Sequence, residues 1–248
     1  AKVRDVVDTC FEDCYLASLY DRLNASGRDE TYYLHLALGA PRVLDVGCGT
    51  GRLLRDVRDA GHRGRLCGLD PGTGMLEQAR RYPGIDWVAG TLPEAGFDGE
   101  FELIVMTGHA FQVLLTDHQV RDFLAAVRRA LAAHGRFAFE TRNPHVRPWE
   151  AWTPENVTEI TDDDGTPIRV WHQVDEVDGE LVTFTTHYAG DTWDAPKVSR
   201  STLRFLPAGC LDHLLRDAGF VVDERYGGWD RGLCTPSSRE IITVAEAS

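Results

Sequence analysis

No stretch of the 248-residue chain approaches the roughly 18 consecutive apolar residues that a membrane-spanning helix needs; the densest apolar run is residues 101–106. Lysine is nearly missing, confined to Lys2 and Lys197, so arginine carries the positive charge; this reflects codon usage and does not bear on substrate. The 26 basic residues are outnumbered by 39 acidic ones, and the formal charge of −13 comes with no basic patch or stripe. Binding to nucleic acid is disfavoured on that ground. The six cysteines (Cys10, Cys14, Cys48, Cys67, Cys210, Cys234) contain no C-x-x-C pair, and the nine histidines form no H-x-H or H-E-x-x-H. Neither a disulfide framework nor a zinc site is supported, and no metal is expected. The first residues, Ala1-Lys2-Val3-Arg4-Asp5, lack the charged-then-apolar layout of a secretion signal. Reduced thiols in a cytoplasmic protein are the expectation, with no membrane or nucleic-acid partner.

With 43% apolar and 26% charged residues, the composition is that of a globular protein. The first 39 residues carry apolar spacings suited to helices. Strand and helix then alternate: short apolar strands at 42–46, 65–70, 86–89, 101–106 and 135–140, with helices at 51–60, 74–81 and 117–132 between them. Nearly all-apolar strands alternating with helices predict a parallel sheet covered on both faces. From 157 to 205 the period becomes two, through Ile168, Val170, His172 and Val174 and then Leu181, Thr183, Thr185 and His187, with turns at Asp164-Gly165 and Asp178-Gly179. That segment reads as an antiparallel meander, after which a helix at 207–218 and strands at 220–226 and 240–245 resume the α/β pattern. The meander is also acidic, with a net −8 between Glu155 and Arg200. Asp162-Asp163-Asp164-Gly165 has Gln173 where a calcium loop would have its glutamate, so it reads as a solvated hairpin turn.

The sharpest motif is Val43-Leu44-Asp45-Val46-Gly47-Cys48-Gly49-Thr50-Gly51, a strand running into a glycine-rich turn and then a helix. Its glycines allow positive φ and close approach of backbone to a ligand. The last glycine of the dinucleotide fingerprint G-x-G-x-x-G would fall on Arg52, and Asp45 would sit badly beside a pyrophosphate. The loop therefore suits a ligand that is positively charged nearby. Asp70 closes the second strand, where a carboxylate can take both hydroxyls of a ribose.

Together these residues resemble the class I S-adenosylmethionine-dependent methyltransferases. The resemblance covers residues 42–139, and 207–245 match the family's C-terminal half-sheet. It implies an α/β fold with a seven-stranded Rossmann-like sheet, an N-terminal helical cap and an antiparallel β lid. The expected single domain (1–248) divides into cap (1–39), core (40–142 and 206–248) and lid (143–205). The implied cofactor is S-adenosylmethionine, with S-adenosylhomocysteine as product. By position, Asp45, Gly47, Cys48 and Gly49 would lie along the methionine part and Asp70 on the ribose. Pro71 and Met75 would flank the adenine, though Met75 equally suits a helix core. Thr91 stands where many relatives place an acid that meets the adenine amine, so its hydroxyl and the Leu92 backbone would take over that contact. In the cap, Tyr20 would close over the methionine arm and Arg28 would pair with its carboxylate; both also suit ordinary core or surface positions.

Strand ends in such sheets face the ligand crevice, which places Thr107 and His109, after the fourth strand, near the reacting sulfur. His109 is a candidate base and substrate contact, or a packing residue of its loop. Arg142, Trp149 and Trp152, after the fifth strand, stand at the expected mouth for a small-molecule acceptor. The inserted meander resembles the lid of glycine and sugar-amine N-methyltransferases. No N-P-P-Y tetrapeptide follows the fourth strand, which disfavours the base-modifying classes. The expected activity is methyl transfer to a nitrogen or oxygen of a small molecule. An NAD-dependent oxidoreductase and a non-catalytic S-adenosylmethionine-binding module are the competing readings. The lid's acids and tryptophans suggest an amine acceptor; oligomeric state is left open.

Overall fold

The protein is described by a computed structural model over residues 7–24, 27–191 and 193–247, the Arg28 side chain excepted. Eleven strands and eight α-helices are found among these residues. β1 (Arg42–Val46), β2 (Arg65–Asp70), β3 (Asp86–Ala89), β4 (Phe101–Met106) and β5 (Leu131–Arg142) run parallel; β10 (Phe220–Tyr226) and β11 (Glu240–Ala247) complete a seven-stranded sheet in the order β10-β11-β5-β4-β1-β2-β3. β11 is antiparallel to both β5 and β10. The central strands are apolar because both faces are covered: Val43, Leu44, Leu103, Ile104 and Val105 are each at most 1% exposed. One face packs beneath α7 (Asp117–Ala130) and α8 (Ala208–Asp217), through Val120, Phe123, Leu124, Val127, Leu211 and Leu215. The other packs beneath α3 (Arg28–Leu38) and α4 (Arg52–Asp59), through Tyr33, Ala37, Leu54 and Val57. α5 (Thr73–Ala79) and the short α6 (Leu92–Ala95) complete the crossovers.

The start of α7 is fixed locally. Thr116 accepts from the backbone N–H of Gln119, whose side chain reaches back to the Thr116 N–H. β5 starts four residues earlier than its apolar pattern suggests, because Leu131 already pairs with Phe101 across an irregularity in the ladder.

The lid is an antiparallel sheet of β6 (Thr158–Thr161), β7 (Pro167–Asp178), β8 (Leu181–Gly190) and β9 (Lys197–Arg204), inserted between β5 and α8. In β7 the inward positions are Ile168 and Val170, as the alternation predicts. In β8 the phase is the reverse of the expected one. Val182, Phe184, Thr186 and Tyr188 turn inward, while Leu181, Thr183, Thr185 and His187 are more exposed. The register decides this, because Val170 pairs with Tyr188 and Val174 with Phe184, bringing the larger side chains onto the buried face.

The cap lies between lid and core. α2 (Cys14–Leu23) buries Leu16 and Leu19 against Ile168, Val170 and Tyr188 of the lid. The short α1 (Thr9–Glu12) precedes it, and the Cys10 N–H donates to Ser199 Oγ at 3.1 Å. The triple-aspartate turn is the solvent-exposed hairpin expected between β6 and β7, and it also reaches the cap. Asp162 accepts from the Tyr15 hydroxyl at 2.8 Å, and Asp163 pairs with Arg22 at 2.5 Å, so the turn clasps α2. No helix among the described residues is long and apolar enough to cross a membrane.

Candidate active site

β1 delivers its chain directly into the glycine turn. The N–H groups of Gly47 and Cys48 donate to the Leu69 carbonyl at 2.8 and 3.2 Å, folding the turn back onto β2. Gly47 and Gly49 take φ of +71° and +54°, which a side chain resists. The Cys48 side chain is buried with Leu76 and Ala79, so only its backbone belongs to the loop's open edge. The cap reinforces the loop, because Thr50 Oγ1 donates to Asp21 at 2.6 Å while Arg52 and Arg55 pair with the same carboxylate.

Asp70 ties this loop to the next one. Its Oδ2 accepts from the Gly49 N–H at 2.8 Å and its Oδ1 from the Gly72 N–H at 2.7 Å. Burial raises its pKa, and the two backbone bonds pull the other way. Each oxygen retains a further lone pair. Asp45, 1% exposed, is less satisfied, because its Oδ1 has no partner. Desolvation, then the nearby charges of Asp70 and Glu140, push its pKa up to about 8. Leaving a buried carboxylate in this state is costly, and a cation placed beside it would relieve the strain.

Beyond β4, His109 adopts φ +62° and caps a 3-10 turn at Ala110–Val113. Two glutamates hold it. Its backbone N–H donates to Glu140 Oε1 at 2.8 Å, and its Nε2 lies 2.8 Å from Glu240 Oε2. The second oxygen of Glu140 accepts from the Tyr33 hydroxyl. Burial raises the pKa of Glu140, against the opposing pull of His109 and these hydrogen bonds. An ionised Glu240 only accepts, so the proton of a neutral His109 sits on Nε2 and the Nδ1 lone pair is left available.

The other expected positions divide. Tyr20 belongs to the cluster: a side chain at Gly108 would meet its hydroxyl at 3.6 Å, it lies in the field of Arg142, and burial pushes its pKa up to about 12. Arg142 donates to Gln112 Oε1 at 3.2 Å and lies 5.6 Å from the Trp152 ring. Met75 is buried, with Sδ 4.0 Å from where a Cβ on Gly49 would stand. Leu92 is buried in the core, Thr107 is half-buried beside the cluster, and Pro71 is exposed. The Thr91 hydroxyl donates to Glu94 at 2.8 Å. Trp149 is not brought to the group; it packs edge-on against Phe205 at 4.6 Å, beside Val182, in the base of the lid. The expected role of Arg28 falls on a side chain outside the described residues. The lid's acids do not line this region either. They are exposed or half-buried, and several pair elsewhere: Asp175 with Arg200, Glu180 with Arg204, Asp191 with Arg169. Glu140, Glu240, Tyr33, Gln112 and Asp21 carried no assignment in the sequence. Glu140, an acid inside an otherwise apolar strand, was the one visible signal.

Residues 43–135 match the methyltransferase-domain family. Among curated relatives, the chain is 29% identical over 130 residues to a malonyl-[acyl-carrier protein] O-methyltransferase of Anoxybacillus flavithermus, covering 50% of this chain and 49% of that protein. The chain spans about half the length of the curated relatives it matches. Among solved structures, an S-adenosylmethionine-dependent methyltransferase from Clostridium acetobutylicum superposes with a TM-score of 0.75 at 15% identity, over 95% of this chain and 100% of that one. CalS10, an amino pentose methyltransferase from Micromonospora echinaspora solved with S-adenosylmethionine bound, gives 0.66 at 21% identity over 92% and 95%. The fold is therefore that of the class I S-adenosylmethionine-dependent methyltransferases, as its strand order and antiparallel β11 already indicated. Over residues 43–135 the chain is similar to the methyltransferase-domain family, and its fold is shared with a methyltransferase solved with S-adenosylmethionine bound.

The residues present fit that cofactor. The unpaired Asp45 oxygen meets the need of a buried carboxylate for an ammonium group, and the positive-φ glycines leave the backbone uncovered beside it.

Proposed function

We propose that the protein transfers a methyl group from S-adenosylmethionine to a nitrogen or oxygen of a small molecule. The observation that carries this is the buried Asp45 carboxylate, unpaired beside the Gly47–Gly49 turn, which suits a cationic ligand and opposes a pyrophosphate. S-adenosylmethionine supplies a methyl group activated on a sulfonium. Asp45 would accept from its ammonium, Asp70 from the ribose hydroxyls, Tyr20 would close over the methionine arm and Arg28 would pair with its carboxylate. Pro71, Met75, Thr91 and Leu92 would border the adenine, and Thr107 the reacting end.

His109 is the base for an acceptor that arrives protonated. Glu240 positions it by fixing the proton on Nε2 and stabilising the imidazolium that forms. The remaining catalysis is alignment and exclusion of water by cap and lid. The likenesses include an O-methyltransferase by name and an amino pentose methyltransferase, so both acceptor atoms are compatible with this scaffold. An amine acceptor no longer follows from the lid's charge, because those acids point elsewhere. The six cysteines are all unpaired, which supports a reducing, cytoplasmic setting, and the acidic surface supports a small-molecule rather than a nucleic-acid partner.

A methyl-transfer screen over small amines, phenols and carboxylates with mass readout tests the reading. Methylated product supports it. Binding of NADH in place of S-adenosylhomocysteine would transfer the site to the oxidoreductases, and cofactor binding with no transfer to any acceptor class would favour a non-catalytic module.

A further inference from the structure

His109 stands in a backbone conformation that its side chain does not favour. Gly108 and His109 take φ of +67° and +62° in succession, and a residue with a Cβ resists that left-handed region. The turn closes on itself through the Ala110 N–H to the Thr107 carbonyl at 3.3 Å and the Gln112 N–H to the His109 carbonyl at 3.0 Å. Neither bond uses the His109 N–H, which donates to Glu140 Oε1 at 2.8 Å on the neighbouring strand β5. A return to negative φ would reorient this N–H and the Cα–Cβ bond relative to each other. The bond to Glu140 and the ring's contact with Glu240 therefore stand or fall together.

Glu140 is 1% exposed, on the face of β5 where Ala138, Ile242 and Val244 pack in the core. An apolar side chain would suit those neighbours, and a buried carboxylate is costly unless its oxygens are hydrogen-bonded. Both oxygens are engaged, one by the His109 N–H and the other by the Tyr33 hydroxyl of α3. Tyr33 is itself fixed, 1% exposed, with the rings of Tyr32 and Trp229 set edge-on at 5.3 and 5.8 Å. Three residues earlier on the same side of α3, Glu30 accepts from Arg52 Nη1 at 2.9 Å. Arg52 opens α4 directly after the glycine turn, so α3 is tied both to that turn and, through Glu140, to His109.

We propose that Glu140, held by Tyr33, is a positioning residue for His109: its carboxylate fixes the left-handed turn that carries the imidazole to Glu240 and to the methyl acceptor. This rests on the reading of His109 as the base of methyl transfer. Glu140 acts through His109 and touches neither the acceptor nor the transferred methyl.

The test observes the full chain, isotope-labelled in backbone and histidine rings, by nuclear magnetic resonance at a pH where the imidazoles are neutral, with and without S-adenosylhomocysteine. The native protein is expected to show His109 as one tautomer, with the proton on Nε2, and a slowly exchanging His109 amide. Glu140→Leu should give a mixture of tautomers and exchange of that amide at least about ten-fold faster. Tyr33→Phe should shift both signals the same way by a smaller step, about three-fold in exchange. Glu140→Gln, which keeps an acceptor oxygen, should restore the native tautomer. Affinity for S-adenosylhomocysteine should stay within about three-fold of native in all three. His62, whose Nε2 faces the Ala40 carbonyl, is the internal control and should not change. An unchanged tautomer and amide in Glu140→Leu, a Glu140→Gln protein that behaves like Glu140→Leu, or equal changes at His62 overturns the proposal. Should Glu140→Leu not fold, Tyr33→Phe decides, and an unchanged His109 there overturns it. The ligand-free spectra carry this test by themselves. Failure of the native protein to bind S-adenosylhomocysteine leaves them readable and brings down the methyl-transfer reading instead.

Discussion

His109 and Glu240, separated by 131 positions in sequence, meet with Nε2 2.8 Å from Oε2 where β4 and β11 open onto the same edge of the sheet. The contact exists because β11 runs antiparallel to β5, so its first residue lies beside the last residue of β5, one strand away from the end of β4.

If His109 is the base, His109→Ala lowers kcat by about a hundred-fold or more, with affinity for S-adenosylhomocysteine unchanged. Glu240→Gln, which keeps a hydrogen-bonding side chain and loses the charge, is expected to lower kcat by about ten-fold and leave KM nearly constant. Single-turnover rates with a protonated acceptor check both. A His109→Ala enzyme with near-normal kcat would reduce His109 to a loop-packing residue.

The raised pKa of Asp45 gives a signed pH dependence. Between its ordinary value of 3.8 and about 8, the folded, ligand-free protein holds a proton that the unfolded chain has released. Asp45 therefore lowers stability progressively as pH rises through that window, by at most about 1.4 kcal/mol per pH unit, and no further above it. Asp45→Asn is expected to unfold at a higher temperature than the native protein at pH 8, with the gap shrinking toward pH 4. Pairing of Asp45 with the ligand's ammonium would also release a proton at pH 7, seen as a dependence of binding heat on the buffer's ionisation enthalpy. Asp45→Asn should remove that dependence and weaken binding.

Asp70 acts twice, on the ligand and on the loops that frame it. Asp70→Ala is expected to cost roughly 1.5–3 kcal/mol of cofactor affinity, about ten- to a hundred-fold. Because the N–H groups of Gly49 and Gly72 lose their acceptor, the ligand-free variant should also unfold at a lower temperature. An unchanged dissociation constant would remove Asp70 from the site.

Gly49→Val should abolish binding through the backbone. At φ +54° a β-branched residue is strained, and its side chain would extend toward Met75 from the loop's open edge. Retained binding would place the ligand elsewhere than against this turn.

The strands of the parallel core were legible because each is an apolar run buried on both faces, and Asp45, Asp70 and the glycine turn were legible because they interrupt such runs. β8 was misphased because its threonines alternate as regularly as its inward residues, and only pairing with β7 distinguishes the two faces. Trp149 fell where a substrate wall was expected and instead fills the lid's base. The Tyr33–Glu140–His109–Glu240 chain could not be read from sequence, because the register of β11 on β5 brings its members together. The acidic turn's clasp on α2 joins residues 141 and 147 positions apart and was invisible for the same reason.

The central claim is that the site formed by Asp45, the glycine turn and Asp70 takes S-adenosylmethionine. Calorimetric titration of the full chain with S-adenosylhomocysteine, and separately with NADH, tests it most directly. The account predicts one S-adenosylhomocysteine bound per chain, weakened about ten-fold or more by Asp70→Ala, and no binding of NADH. Saturable NADH binding, or an absence of S-adenosylhomocysteine binding by the native protein, would contradict it.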